Sequence, residues 1–385
     1  MSFLGFPRPD GSVGVRNYVG VISTVACAND VAYWISQQIK GTAPFIHQSG
    51  CTQLKPDLEM AARTLTSIGQ NPNLAGVLLV SLGCEGVDVK RIEDGIAQSG
   101  KPVKKVVIQE AGATIALKNG LQLAQGLVSE ASKIKRREFD NSFLRIGAKC
   151  GASDTTSGLA SNPAVGAAFD LVVDDGGTCI FGETTEFMGA EHILTRRAVK
   201  KEVADKILEI VDQMEKRAIA RGGDMRGGQP SAGNIAGGLT TIEEKSLGAI
   251  SKGGTKPIQG VFEYGERVQG KGLFIIDSPG REPEFLTALA AAGAQVCLFS
   301  TGLGVPQGFP FMPVIKITGN PVTFKRLPDH IDIFVDLIGG KSSGLPAMGK
   351  IIYQALLEVA SGEQTKAEIL GYGNFPGLYT IGPVL

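Results

Sequence analysis

Apolar and polar positions along this chain fall into blocks, and the period of the blocks changes repeatedly. Residues 18–24 (YVGVIST) are apolar and rich in β-branched side chains, which predicts a buried strand. Residues 29–39 switch to helical spacing, with Val31, Ile35 and Ile39 on one face. The run 74–82 (LAGVLLVSL) is apolar almost throughout, as a strand covered on both faces of a parallel sheet must be. A helix over 87–97, a strand over 103–108 and a long helix over 110–135 follow, the last interrupted by Gly112, Gly120 and Gly126. Strands alternating with helices imply βαβ units.

The charged stretch 133–140 (KIKRREFD) breaks this pattern and is the expected boundary between two domains, 1–135 and 136–385. The second domain is expected to carry strands over 143–148, 170–173, 178–181, 273–277, 295–300, 314–317 and 331–337. Its helices are expected from Asn162-Pro163 onward and over 200–220, 282–292 and 347–360. The fold class is therefore α/β: two domains of mainly parallel sheet flanked by helices, Rossmann-like or flavodoxin-like. Residues 221–239 have no period and contain seven glycines, so they are either disordered or folded around a ligand or a neighbouring subunit, the ligand role being the expectation.

Composition narrows the class. The chain has 385 residues, 43% of them hydrophobic and 20% charged, with a net charge of zero. No basic patch points to nucleic acid, and no apolar run is long enough for a membrane span. The first residues lack the basic and apolar regions of a secretion signal, so the expected location is cytoplasmic, with the six cysteines reduced. There is no P-loop, no dinucleotide-binding G-x-G-x-x-G after a strand and no G-x-S-x-G elbow. The TGLG turn at 301–304 is a candidate anion-binding loop.

Candidate chemistry concentrates between residues 149 and 197, which hold Cys150, Asp154, Ser157, Asn162, Glu183, Glu186, Glu191, His192, Arg196 and Arg197. His192 and Arg196 are four apart, so a helix would set an acid–base group beside a cation able to hold a carboxylate. An ordinary surface helix with ion pairs is the competing reading. Cys51, Cys84 and Cys150 each follow a strand and sit in a glycine-flanked turn, where ligand sites form in parallel sheets. With His47 they suit iron or zinc, and alternatively the three cysteines suit an iron–sulfur cluster with one open iron. Small residues filling tight turns is again the plainer alternative. Cys27, Cys179 and Cys297 read as buried small hydrophobes.

Six stretches together resemble the altronate/galactarate dehydratase family, which includes the sulfolactate sulfo-lyase large subunit. They are RPDGSVGVRNYV from Arg8, HQSGCTQ from His47, NLAGVLLVSLGCE from Asn73, KCGASDTTSGLASNPAVG from Lys149, GGTCIFGETTEFMGAEHILTRRA from Gly176 and GNIAGGLTTIEEKSLG from Gly233. The resemblance implies a hydro-lyase that dehydrates an altronate-like aldonate or galactarate-like aldarate to a 2-keto-3-deoxy acid, with Fe2+, or Mn2+, as cofactor. It also implies a separate small SAF-domain subunit as partner, since fused members carry that domain before the motif at 5–17, and an oligomer. Residues Cys51 and Cys84 favour the sugar-acid branch; Thr52 and Phe181-Gly182 depart from the altronate dehydratase pattern.

Under this reading His47, Cys51, Cys84 and Cys150 ligate metal. His192, Glu183, Asp154 and Glu186 are the catalytic candidates. Arg196, Arg197, Ser157, Asn162 and Asn234 bind substrate. A sulfo-lyase that releases sulfite, or a non-catalytic sugar-acid-binding subunit, are the alternatives.

Overall fold

The computed structural model describes residues 2–337, 344–373 and 376–384. Its first sheet is parallel, in the order β4-β3-β5-β6, from Tyr18–Ser23 (β3), Thr42–Phe45 (β4), Leu74–Ser81 (β5) and Val103–Val107 (β6). The second, also parallel, has the order β10-β11-β9-β8-β12-β13-β14. Its strands are Arg145–Gly151 (β8), Thr178–Phe181 (β9), Ile258–Phe262 (β10), Gly272–Ile276 (β11), Val296–Thr301 (β12), Val314–Thr318 (β13) and Ile333–Phe334 (β14). All eight residues of β5 are buried, which is why its sequence is apolar without alternation.

A small antiparallel sheet lies at the sequence boundary. There Arg137–Asp140 (β7) pairs with Ser2–Pro7 (β1), which also pairs with Val13–Gly14 (β2). One apolar cluster joins the two parallel sheets: Ile22, Phe45, Ile68 and Leu79 of the first pack with Ile276, Phe285, Leu289 and Phe299 of the second. The helix Lys55–Gly69, whose Pro56 sits in its first turn, packs on the helix Glu282–Ala291 between them. Asn71 and Asn73 bolt this junction by donating to the carbonyls of Ala290, Ala294, Gln295 and Phe311 at 2.7–3.0 Å. Residues 376–384 run back to the first sheet. Leu378 accepts from Gln48 at 2.6 Å, the amides of Ile381 and Gly382 donate to Asp57 at 2.8 Å, and Val384 bridges to Gln53.

Three expectations fail. Residues 170–173 are not a strand but the end of the helix Asn162–Asp174, because the spacing begun at Pro163 continues through the apolar run and buries Phe169 and Val172. Only Ile333–Phe334 of the expected strand 331–337 pairs, at the sheet edge. The stretch 221–239 is not all loop: Ala232–Ala236 is helical and Asn234 is buried. Among the described residues no helix is long and apolar enough to cross a membrane.

Candidate active site

Chain order in the second sheet reverses beside β8: β9 is added on one side and β12 on the other. The carboxyl ends of β8 and its neighbours are therefore where a doubly wound sheet opens a crevice. The side chains there are charged and buried. Lys149 and Cys150 end β8. Glu183 follows β9 with a left-handed backbone (φ 71°), and Glu186 closes the turn Thr184–Glu186. Lys252 arrives from the turn Ser251–Gly253, after the helix Ile242–Ile250. Positive φ in a residue with a side chain is strained, and such strain concentrates at functional sites.

These groups form one network. Glu183 accepts from the Lys149 ammonium through one oxygen. Its other oxygen lies 2.8 Å from Lys252 Nζ and 3.0 Å from the Cys150 amide nitrogen, which donates to it. Lys252 Nζ is also 3.1 Å from Cys150 Sγ and 3.5 Å from Glu186, and the Cys150 thiol donates to Glu186 at 3.0 Å. Lys149 donates further to the Gly280 carbonyl at 2.8 Å, and Lys245 stands 3.6 Å from the other oxygen of Glu186. Lys149, Lys252 and Glu183 have at most 1% of their surface exposed. Buried charges persist only when paired and hydrogen-bonded, and these are.

Burial pushes the Cys150 thiol far up, and the charges of Glu183 and Glu186 add to this, so it carries its proton. Burial works against both ammonium groups, but the carboxylates around Lys149 and Lys252 reverse it and hold both above the ordinary lysine value. Burial and the Glu186 charge raise the Glu183 carboxyl against the pull of its two lysines. Glu186 is also desolvated, yet Lys252, Lys245 and Lys149 outweigh this and bring it down to about 2.

Two cavities adjoin the network, and Lys245 lines both. One, of about 330 Å³, is lined by Asp154, Ser157, Asn162, Glu244, Lys245 and apolar residues including Leu159 and Leu247. The other, of about 230 Å³, holds Glu186, Lys245, Gln229 and Arg281. Asn162 donates to the Gly248 carbonyl at 3.0 Å, while its buried Oδ1 has no partner among the described residues. A buried acceptor left unpaired is costly.

Comparison with known proteins agrees with the sequence motifs. Residues 5–132 match the family model described as D-galactarate dehydratase/altronate hydrolase, second domain, and residues 141–381 match D-galactarate/altronate dehydratase, C-terminal. The (2R)-sulfolactate sulfo-lyase subunit beta of Chromohalobacter salexigens is 38% identical over 97% of this chain and 96% of its own length. An altronate dehydratase of Bacillus subtilis is 35% identical over 95% of this chain and 75% of its own length. The Escherichia coli galactarate dehydratase (L-threo-forming) is 32% identical over 100% of this chain and 77% of its own length. The chain belongs to the D-galactarate/altronate dehydratase family. It is an enzyme of the lyase class.

The residues expected to act in this family member divide sharply. Glu183, Glu186 and Cys150 meet in the buried network. Asp154, Ser157 and Asn162 line the larger cavity. Asp154 is saturated, however: it accepts from Thr156, Asn320 and the Ser157 amide at 2.7–3.0 Å and shapes its own loop. Asn234 donates to the Ser153 carbonyl at 2.9 Å and pins the 221–239 stretch to that loop.

His192 is exposed and lines a separate open groove with Glu191, Glu215 and Arg226. The segment Glu183–Arg197 is not one helix. A short turn, a break at 187–190 and the helix Glu191–Arg196 turn Glu186 inward and His192 outward. Arg196 is exposed, and Arg197 donates to the carbonyls of Gly253 and Lys256 at 3.0 and 2.9 Å. The TGLG amides are occupied too: Gly302 and Leu303 donate to the Ala152 carbonyl and Gly304 to Thr301.

The expected metal ligands do not converge. His47 Nε2 lies 2.8 Å from the Ser23 carbonyl and its Nδ1 accepts from the Ser49 amide at 3.1 Å, so both ring nitrogens are engaged. Among the described residues the one group of three ligand atoms within 4.8 Å is Cys150, Glu183 and Glu186. That set of sulfur and oxygen donors is compatible with a divalent transition metal. Lys149 and Lys252 already balance its charge, so a cation there must displace Lys252 and the thiol proton. Sequence reading passed over Lys149, Lys252 and Lys245. The one local signal was a lysine inside the apolar strand around Ile146–Cys150; Lys252 sits 102 residues from Cys150 and had none.

Proposed function

We propose that this lyase removes water from a 2,3-dihydroxy sugar acid and delivers a 2-keto-3-deoxy acid. The observation that carries the reading is the pair of cavities meeting at Lys245, with Asp154, Ser157 and Asn162 lining one and Glu186 the other. Lys245 binds the substrate carboxylate. Ser157 and Asn162 line the cavity that takes the rest of the molecule, which suits a polyhydroxy chain. Glu186 takes the proton from C2; the C2–H electrons become the C2=C3 bond while the C3–O bond breaks. The departing hydroxide takes that proton from Glu186 and leaves as water, and the enol moves its O–H proton to C3 and becomes the ketone.

Glu186 begins as a weak base because ammonium groups surround it. A substrate carboxylate that engages Lys245 removes part of that stabilisation and raises its basicity. Lys252, Lys149 and Glu183 lie behind Glu186 and line neither of the two cavities. They position it. His192, Arg196 and Arg197 are given no role in this scheme. A divalent cation on Cys150, Glu183 and Glu186 would act as a Lewis acid toward a substrate oxygen.

Sulfite elimination is the second reading, favoured by the 38% identity that extends over 96% of the sulfo-lyase subunit. Its C2 step is identical; only the C3 substituent differs, sulfite instead of hydroxide. We further propose a small SAF-domain subunit as partner, since the relative at 38% identity is itself named a subunit beta. The chain, alone and with that subunit, should be supplied with hexonates, hexarates and sulfolactate while 2-keto acid and free sulfite are measured. Keto acid from a sugar acid without sulfite chemistry supports the first reading. Sulfite release from sulfolactate alone replaces it with the second. Neither product in any combination overturns both.

A further inference from the structure

The first sheet has a carboxyl edge of its own, and the proposed reaction does not use it. Three free cysteines lie on the three loops that leave that edge. Cys27 sits in the turn Ala26–Ala28 after β3, Cys51 in the loop after β4 and Cys84 in the loop after β5. Since β4, β3 and β5 are adjacent and parallel, these loops are neighbours.

Backbone bonds stitch them together around Gly50. The Ala26 amide donates to the Ser49 carbonyl at 2.9 Å, and the Gly86 and Val87 amides donate to the Gly50 carbonyl at 2.9 and 3.2 Å. A Cβ on Gly50 would lie 2.5 Å from the Thr24 carbonyl oxygen and 2.8 Å from Val25 Cα, so the loops touch at a point only glycine allows. Thr52, next to Cys51, is held at φ 50°, one of three non-glycine residues at positive φ among the described residues; the other two, Ala152 and Glu183, flank the lysine–carboxylate network. Gln109 donates to Cys84 Sγ at 3.1 Å and orients that sulfur as an acceptor. Cys27 and Cys84 are exposed and Cys51 is half-buried, unlike Cys150, Cys179 and Cys297.

We propose that Cys27, Cys51 and Cys84 form a three-thiolate site for an iron–sulfur cluster, with Cys27, not Cys150, as the third ligand. Soft sulfur donors select thiophilic metals. The three sulfurs do not all lie within 4.8 Å of one another. A single tetrahedral ion with bonds of about 2.3 Å holds its sulfurs roughly 3.8 Å apart. A cuboidal cluster interposes irons and sulfides and accepts the wider spacing. Each thiol loses its proton on ligation, and the fourth iron stays open for an external ligand. His47 braces the loop from beneath through Ser23 and Ser49 and is not a ligand.

The test is metal content, not turnover, so it stands or falls apart from the proposed reaction. The full chain is purified without oxygen and reconstituted with equal amounts of ferrous and ferric iron together with sulfide. Iron and sulfide should be retained in near-equal amounts, with the visible absorption of a cluster. Cys27→Ser, Cys51→Ser and Cys84→Ser should each lower retention several-fold, and Cys150→Ser should not. In the reconstituted wild-type chain those three thiols should resist alkylation that labels them in the cluster-free chain, a readout that does not depend on variants folding. Iron held without sulfide overturns the cluster. Loss in Cys150→Ser with retention in Cys27→Ser returns the metal to the buried network, and no retention at all rejects the site.

Discussion

The two parallel sheets each end in a ring of loops carrying reactive side chains, and the two rings are built on opposite principles. At the second sheet the groups are charged, buried and mutually satisfied: two carboxylates, a thiol and two ammonium groups share hydrogen bonds, with Lys245 at the margin. At the first sheet the groups are soft thiols, two exposed and one half-buried, and the backbone holds them. A charge network of the first kind can move protons without changing its net charge, because each carboxylate has an ammonium partner. Among the described residues no ion pair ties loops of the second kind together, so a metal can be taken without first breaking one.

The sharpest way to break this contrast is at Glu186. Glu186→Gln keeps the shape but removes the base, and turnover should fall by about 10³-fold or more. A Glu186→Gln enzyme with near wild-type turnover would move the base elsewhere. Next in size is Lys252→Met, which leaves Glu183 and Glu186 facing each other without their shared cation. Breaking a buried pair from one side costs about 3–5 kcal/mol, read as a lowered denaturant midpoint. The double variant with Glu183→Gln should recover much of that loss while staying inactive. A wild-type midpoint for Lys252→Met would mean the network does not hold the site together.

His47 sharpens the contrast from the other side. Burial lowers it to about 4, offset in part by the Ser23 carbonyl. The folded state therefore prefers the neutral ring. Its stabilisation is complete above pH 6.5 and is lost as pH falls from 6.5 toward 4, on the order of 3 kcal/mol. Denaturation at stepped pH should show this slope, and His47→Asn should flatten it; an unchanged slope would mean another group titrates there.

The smallest effects come from glycines. A Cβ on Gly166 would lie 2.2 Å from the Ser251 carbonyl oxygen, so Gly166→Ala should shift the turn that carries Lys252 and destabilise by about 1–3 kcal/mol. Gly126, in the helix Ala113–Lys133, meets nothing within 4 Å, and Gly126→Ala should stabilise by about 0.5–1 kcal/mol. Equal effects at the two positions would remove the packing argument.

Strands such as β5 and β9 were legible because a parallel strand covered on both faces has no polar residues to hide it. The helix Lys55–Gly69 was not, since small or polar residues such as Asp57, Ala61, Thr64 and Ser67 share its buried side with Met60, Leu65 and Ile68 and dilute the periodic signal. Residues 170–173 show the reverse error, where a short apolar run fits a strand or a buried helix equally. At the site, Glu183 and Glu186 could be picked out because acidic residues beside a buried strand are unusual. Lys252 could not, because its partners lie far away in sequence. His192 attracted attention by its rarity in the composition, which says nothing about the direction a side chain faces.

The return of residues 376–384 to the first sheet sets an order of events during synthesis. Gln48 and Asp57, on either side of Cys51, take their partners from Leu378, Ile381 and Gly382. Every strand of both sheets leaves the ribosome before those partners do. The loop around Cys51 is thus the last part of the first sheet to be fixed, although its own sequence is translated among the earliest. Any metal loaded there from solution would meet a nascent loop still open on one side.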